Sequence, residues 1–149
     1  LSLSGDIVTY GHDENGDPLR VAIQSAKTLK AESEWTIDCP NKEFSVATSG
    51  TFRRKSQSSS EDWHHIINPK TLEPADSNIQ LVTVCADACV EADVLASCAV
   101  ILGDKKAPIF LKSHGVSAAL IQYLDIDGKH STRSFGKYIK QGELVARHA

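Results

Sequence analysis

The feature that most constrains the fold is a strand followed directly by a helix in the middle of the chain. Residues 79–86, IQLVTVCA, carry apolar side chains on both faces of their alternating pattern, which predicts a central strand covered on both sides. Asp87 is the predicted N-cap of the helix that follows over residues 88–102, and Gly103 is its predicted stop. Because apolar side chains point in most directions of this helix, we expect it to be buried.

Shorter apolar segments on both sides predict an antiparallel sheet. The predicted strands are residues 7–10, 19–25, 35–39, 44–47, 118–124 and 129–134, with the first two joined as a hairpin through Asn15-Gly16. A second helix is predicted over residues 104–114, with Pro108 near its start, whereas residues 56–62 read as a hairpin tip and the residues after 139 as a tail. The expected fold class is α+β, an antiparallel sheet with packed helices, in a single domain over residues 1–149.

The composition excludes several classes of function. A chain of 149 residues buries roughly two thirds of its unfolded surface, and its net charge of −3, with acids and bases interspersed, argues against a nucleic-acid partner. No apolar run approaches the ~20 residues that span a bilayer. Because the chain does not begin with methionine, we expect a processed product or a piece of a longer protein whose targeting segment lies outside it.

The four cysteines form no CxxC pair. Their spacing is poor for zinc, and small buried thiols are the preferred interpretation for Cys39, Cys85, Cys89 and Cys98. A disulfide and the redox compartment both stay open at this point.

Residues 64–74, HHIINPKTLEP, are the first candidate for chemistry. Two prolines stiffen this segment and push the residues before them to extended geometry. A stiff loop that carries a histidine can place an acid or base reproducibly. The alternative is a strand end and a surface turn in which His64 and His65 are simply hydrated.

Two further groups of residues could hold a ligand. Asp93 and Ser97 lie one turn apart on the predicted helix and form a hard-oxygen pair suited to Mg²⁺, unless Asp93 merely caps a backbone or pairs with an arginine. Thr48, Ser49 and Gly50 follow a strand and could hold phosphate or a ring carbonyl, although such residues are often plain turn formers.

Four sequence blocks together resemble the C-terminal half of the ApbE family, the FAD:protein FMN transferases. Ser4-Gly5-Asp6-Ile7 is similar to the family's Gly-Gly-Asp-Ile, and Ala47-Thr48-Ser49-Gly50 matches its Ala-Thr-Ser-Gly. Residues 65–74 are similar to its His-Ile-Ile-Asp-Pro-Arg-Thr-Gly-x-Pro signature, with Leu72 in place of the glycine. Residues 92–97 are similar to its Ala-Asp-x-Leu-x-Thr helix, with Ser97 in place of threonine.

The resemblance implies a T-fold-like architecture and a reaction. Such enzymes bind FAD and Mg²⁺ and move FMN onto a threonine hydroxyl of an acceptor flavoprotein, releasing AMP. By the match, Asp93 and Ser97 would bind the metal and His65 would be the general base. The flavin site would be lined by Thr48, Ser49, Gly50 and His65.

The resemblance also bears on partners and on alternatives. It implies association with an N-terminal half, a possible membrane tether in that half, and an extracytoplasmic location, in the periplasm or tethered to the inner membrane. The alternative function is a non-catalytic flavin- or nucleotide-binding module, supported by Leu72 and by the absent half. A third is an interaction domain with no flavin role.

Overall fold

The computed structural model describes residues 1–3, 5–28, 33–52, 55–58 and 61–145. The elements in chain order are β1 (Ser2–Leu3), β2 (Asp6–Thr9), β3 (Arg20–Ile23), β4 (Ser33–Asp38), β5 (Phe44–Gly50), β6 (Lys55–Ser58), β7 (Glu61–His64), β8 (Ile79–Ala86), α1 (Cys89–Ser113), β9 (Ala118–Leu124), β10 (His130–Phe135) and β11 (Ile139–Val145).

The main sheet is antiparallel and is built around β8. Its strand order is β1-β2-β5-β8-β9-β10, so β8 pairs with β5 on one side and β9 on the other. Every residue of β8 is buried, as its two-sided apolar pattern predicts. The α+β fold class expected from the sequence is confirmed.

Two apolar clusters cover the two faces of this sheet. On one face, α1 packs its alanines at positions 92, 96 and 99 against a cluster that includes Ala47 and Val84. On the other face, the smaller sheet β11-β4-β3 covers a cluster centred on Phe44, Val46 and Leu120. The molecule therefore has three layers in the order helix, main sheet, small sheet, and successive β5 side chains point to opposite faces of the main sheet.

The predicted hairpin of residues 7–10 and 19–25 is wrong in its pairing. A local turn does form, since the Asp13 carboxylate accepts the N–H groups of Asn15 and Asp17 at 2.9 Å each. However, β2 pairs with β1 and β5, whereas β3 pairs with β4 in the small sheet. The apolar side chains of the two strands are thus buried against different partners, which a local turn signal does not specify.

The predicted positions of the helix are confirmed, but the prediction that it is buried all round is wrong. Gly103, at φ 77° and ψ 168°, interrupts α1 where a helix stop was predicted. The N-cap is Ala88, without a side-chain cap, because the Asp87 carboxylate instead binds the Lys42 ammonium at 2.7 Å. Val90 and Val94 are 72% and 53% exposed, so the helix is buried on one side only.

Two segments predicted without regular structure contain strands. Residues 55–58 and 61–64 pair as β6 and β7, while positions 59–60 of the predicted tip lie outside the described residues. Residues 139–145 form β11 on β4 rather than a tail. In the described part of the chain, no helix is both long enough and apolar enough to cross a membrane.

Candidate functional site

One side of α1 carries polar residues at intervals of one turn. Cys89, Asp93 and Ser97 follow each other at i, i+4 spacing, which aligns them along the helix. The neighbouring alanines 92 and 96 are fully buried on the main sheet, whereas Asp93 is exposed and Ser97 half-buried. The polar line therefore runs along the border of the helix–sheet contact, and Asp93 is not the buried carboxylate that the sequence suggested.

A hydroxyl pair joins this border to β5. Side chains alternate along β5, and Ala47 and Ser49 both point toward α1. Ser49 Oγ lies 2.9 Å from Ser97 Oγ, a hydrogen bond in which either hydroxyl can donate. The structure thus brings together a predicted flavin-site residue and a predicted metal ligand.

Asp6 at the start of β2 is the residue that sequence reasoning missed. Partial burial, and next the charge of Asp93, raise the pKa of Asp6 above its ordinary value. Burial and then the charges of Asp6 and Asp93 raise the pKa of the Cys89 thiol. Asp6 of β2 and Asp93 of α1 are thus near enough for their charges to repel each other. Its place beside Gly5 in the first family-like block was the signal that could have identified it.

The donors at this border fit Mg²⁺. No group of three or more His, Cys, Asp and Glu side chains that could hold a metal occurs in the described part of the chain. The potential ligands at this border are instead the carboxylates of Asp6 and Asp93 and the hydroxyls of Ser49 and Ser97. Mg²⁺ prefers such hard oxygen ligands and usually completes its shell with water and substrate phosphate. A dication would also remove the repulsion between Asp6 and Asp93.

Thr48 points away from this border. Its Oγ1 lies 2.8 Å from Thr83 Oγ1, its cross-strand neighbour on the face that the small sheet covers. The sequence analysis placed Thr48 and Ser49 together in the lining of one flavin site. In the structure their side chains lie on opposite faces of β5, because successive residues of a strand alternate.

Gly50 has a packing reason to be glycine. A Cβ at this position would lie 2.1 Å from the carbonyl oxygen of Gln80. The same carbonyl accepts the backbone N–H of Thr51 at 3.0 Å. The glycine therefore permits a close approach of two backbones, which by itself explains the residue without a ligand.

The two histidines have different environments. His64 is 7% exposed; its Nε2 lies 3.1 Å from the carbonyl oxygen of Ala75, and its Nδ1 lies 3.3 Å from the backbone nitrogen of Ile66. Because a carbonyl only accepts and an N–H only donates, the proton sits on Nε2. His64 thus stabilises the base of a hairpin that spans residues 64–75. His65, the next residue, is exposed.

This hairpin is rigid at its tip. Asn68 Oδ1 accepts the N–H of Lys70 at 3.0 Å, and the Asn68 carbonyl accepts that of Leu72 at 2.8 Å. Leu72 adopts φ 62°, the left-handed region that favours glycine. Of the non-glycine residues described, it alone has a positive φ. The stiff loop predicted from the sequence is present, with strain at the position where the family signature has glycine.

The histidine hairpin is anchored on the α1 side of the main sheet. Ile66, which follows His65, is buried in the same cluster as Ala47 and Ala96. The hairpin therefore shares a layer with Ser49, Asp6 and Asp93, while Thr48 lies in the other layer.

Comparisons with known proteins identify the family of this chain. The ApbE family model matches residues 1–121. The FAD:protein FMN transferase of Vibrio cholerae is 25% identical over 143 residues, which are 95% of this chain and 42% of that protein. The enzyme of the same name from Salmonella typhimurium is 28% identical over 121 residues, 81% of this chain and 34% of that protein.

Solved structures give the same result. The structure of the flavin transferase ApbE from Vibrio cholerae has a TM-score of 0.69 at 25% identity, covering 89% of this chain and 40% of that one. The ApbE protein of Thermotoga maritima, at 23% identity and a TM-score of 0.66, has the same fold over 85% of this chain and 40% of its own. The chain thus spans about two fifths of these proteins. On the family model and the shared fold, this chain belongs to the ApbE family.

Proposed function

We propose that this chain supplies the metal-binding and phosphate-binding part of an FAD:protein FMN transferase. The relatives that carry this name support the proposal, as does the site at the border of α1. Because the chain covers only 34–42% of those relatives, we propose that a further segment completes the FAD site. Any membrane tether and any extracytoplasmic location would also be set by that segment.

The single observation that carries the proposal is that Ser97, one helical turn from Asp93, hydrogen-bonds to Ser49 of β5 at 2.9 Å, at the same helix border where the charge of Asp93 acts on Asp6. Partial burial, and next the charge of Asp93, raise the pKa of Asp6, and a cation held beside both carboxylates would oppose both effects. Asp6, Asp93 and Ser97 would hold Mg²⁺, which when bound neutralises phosphate charge and helps AMP to leave.

The residues of the chain would then divide the remaining work. The Ser49 hydroxyl, fixed by Ser97 at 2.9 Å, is available to donate to a phosphate oxygen when it accepts from Ser97. His65 would take the proton of the acceptor threonine as its oxygen attacks the phosphorus of the FMN portion. The bond from that phosphorus to the bridging oxygen breaks, and AMP departs with the bridging oxygen. Such transfers depend mainly on positioning and on charge stabilisation.

The metal assignment is tested by Asp93→Ala. In the protein that includes the segment completing the FAD site, we expect AMP release from FAD, in the presence of Mg²⁺ and a threonine-bearing acceptor, to fall by about 10²-fold or more, because a charge-stabilising group is lost. Chromatographic quantification of AMP is the measurement. Glu91→Ala is the matched control, since Glu91 is an exposed acid in the first turn of the same helix. Unchanged release by Asp93→Ala would refute the assignment.

The base is tested in the same assay by His65→Ala. We expect a loss of about 10²–10⁴-fold, the usual contribution of a general base. His130→Ala is the control because His130 is also exposed and lies in β10, at the far edge of the main sheet. Full activity of His65→Ala would exclude His65 as the base, and FAD binding by the wild type without any AMP release would favour the non-catalytic binding module.

A further inference from the structure

The tip of the histidine hairpin carries an apolar side chain that the fold does not need. Leu72 is 78% exposed and adopts φ 62°. An exposed leucine by itself needs no explanation, because folded proteins expose many apolar atoms. Leu72 is different, since glycine would occupy the left-handed region without the steric cost and little packing offsets that cost here. The leucine side chain is therefore retained for something other than stability.

The strain is located in the hairpin that carries the proposed base. Leu72 is the only described non-glycine residue with a positive φ, and it follows His65 by seven positions in the same hairpin. Strained backbone that the fold does not require occurs mainly at functional sites. The part of the proposed reaction that takes place at His65 is the approach of the acceptor threonine, so a role in contacting the acceptor protein is the nearest explanation.

The exposed side chains of the hairpin run from its base to its tip. Ile66 is buried in the α1 cluster, whereas its neighbours His65 and Ile67 are exposed, as expected for extended chain in which successive side chains alternate. Ile67 bridges to Pro74 across the hairpin, and Leu72 lies in the turn beyond this bridge. An acceptor that reaches His65 from solvent therefore meets Ile67 and Leu72 as well.

The hairpin holds Leu72 in a fixed place. The backbone N–H of Leu72 donates to the Asn68 carbonyl at 2.8 Å, and the N–H of Asn68 donates to the Glu73 carbonyl at 2.9 Å. The Asn68 side chain also accepts the N–H of Lys70 at 3.0 Å. Because the tip is already ordered, a contact made by Leu72 loses little conformational entropy on binding.

The spacing along the hairpin sets the spacing required of the acceptor. His65 and Asn68 are three positions apart, and the Asn68 carbonyl binds the N–H of Leu72. Three residues of extended chain span roughly 10 Å. An extended acceptor segment covers the same length with three of its own residues. When its threonine lies at His65, a side chain three positions away is level with Leu72.

We propose that Leu72 is a specificity-determining residue, which contacts an apolar side chain of the acceptor protein three positions from the threonine that receives FMN. This inference rests on the proposed function for the identity of the partner. The neighbouring exposed side chains Lys70 and Glu73 carry opposite charges, so the tip selects by apolar contact rather than by net charge. A residue that lowers stability while it serves binding is a common compromise at functional sites.

Two synthetic peptides test the proposal. Both have a single central threonine within alternating alanine and glycine and a lysine at each end, and one of them carries leucine three positions before and after the threonine. Anisotropy of the fluorescently labelled peptides is measured with the 149-residue chain in the absence of FAD. The wild type should bind the leucine peptide at least about fivefold more tightly than the other, because apolar surface is buried in the contact.

Three variants identify the side chain that is responsible. Leu72→Ala keeps a β-carbon but removes the rest of the apolar group, and the preference for the leucine peptide should fall to about equal binding. Leu72→Met keeps an apolar side chain of similar size and should keep the preference. Ile126→Ala is the matched control, since Ile126 is a fully exposed apolar residue in a different turn, between β9 and β10. It should bind both peptides as the wild type does.

Four results would overturn the proposal. The wild type binds the two peptides equally, the wild type binds neither peptide, Leu72→Ala keeps the full preference, or Ile126→Ala loses it. Thermal unfolding of each variant shows whether it is folded, and the exposure of both leucine and isoleucine makes loss of the fold an unexpected result.

The outcome is distinguishable from failure of the proposed function. AMP release is measured separately, with the protein that includes the segment completing the FAD site. Absent AMP release together with a Leu72-dependent peptide preference would keep the contact and reject the transferase. AMP release with equal kcat/KM for the two peptides would keep the transferase and reject the role of Leu72.

Discussion

At the scale of single residues, the backbone conformation of Leu72 is strained. Its φ of 62° lies in the left-handed region, where a side chain with a β-carbon costs about 1–2 kcal/mol. Its side chain is 78% exposed, so little packing offsets that cost. Because the family signature has glycine here, the strain is a property of this chain's own substitution.

We therefore expect Leu72→Gly to stabilise the protein. Relief of about 1–2 kcal/mol of backbone strain exceeds the roughly 0.5–1 kcal/mol of extra chain entropy that glycine loses on folding. The net gain should be about 0.5–1 kcal/mol in the free energy of unfolding, measured by urea denaturation. Leu72→Ala keeps the β-carbon and should bring no such gain. A loss of stability in Leu72→Gly would show that the leucine side chain contributes contacts that outweigh the strain.

At the scale of elements, Asp38 ties the three strands of the small sheet together. Its carboxylate in β4 accepts from Arg20 Nε of β3 at 3.0 Å and also pairs with the Lys140 ammonium of β11. The Lys140 hydrogen bond, and next the Arg20 one, hold the pKa of Asp38 below its ordinary value of 3.8 against the opposing effect of burial. The small sheet thus has an electrostatic cross-link in addition to its backbone ladder.

Asp38→Asn should weaken the protein by about 1 kcal/mol at neutral pH, since each exposed pair contributes about 0.2–1 kcal/mol. For a carboxyl with a lowered folded-state pKa, the stabilisation is present above its unfolded value and is lost as the pH falls through the folded one. The difference between variant and wild type should therefore vanish in acid below both values. Urea titrations across this pH range are the measurement, with the exposed Asp76→Asn as control. A pH-independent difference would show that the charge is not responsible.

At the scale of the whole molecule, β5 and β8 belong to both apolar clusters and couple the three layers. Phe44, at the start of β5, is fully buried between the sheets and contacts the Tyr138 ring edge-on at a centroid distance of 5.0 Å. Because the small sheet and α1 pack on opposite faces of the same strands, we expect them to unfold as one cooperative unit.

Phe44→Ala should lower the free energy of unfolding by about 3–5 kcal/mol, through lost burial and the cavity left behind. Trp35 of β4 reports the small sheet by fluorescence in a Trp63→Phe background, and circular dichroism reports α1. Both signals should shift to the same lower midpoint. Transitions that separate, with the α1 signal unshifted, would contradict cooperative coupling of the layers.

Part of the site could be read from the sequence because its signals are local. The helix carrying Asp93 and Ser97 is specified by its apolar pattern and by Gly103, and the hairpin carrying His65 by its prolines. The glycine that the family signature has at position 72 marked Leu72 as a departure, and its positive φ came from the structure.

The sequence by itself determined β8, the limits of α1 and the α+β class, since periodicity, glycine stops and turn residues act over a few neighbouring positions. Only the tertiary structure decided that β2 pairs with β5 rather than with β3, and hence that Asp6 lies within the electrostatic influence of Asp93. The physical reason is that strand pairing depends on competition among distant partners for the same backbone and the same apolar face, and that competition leaves no mark in any one segment.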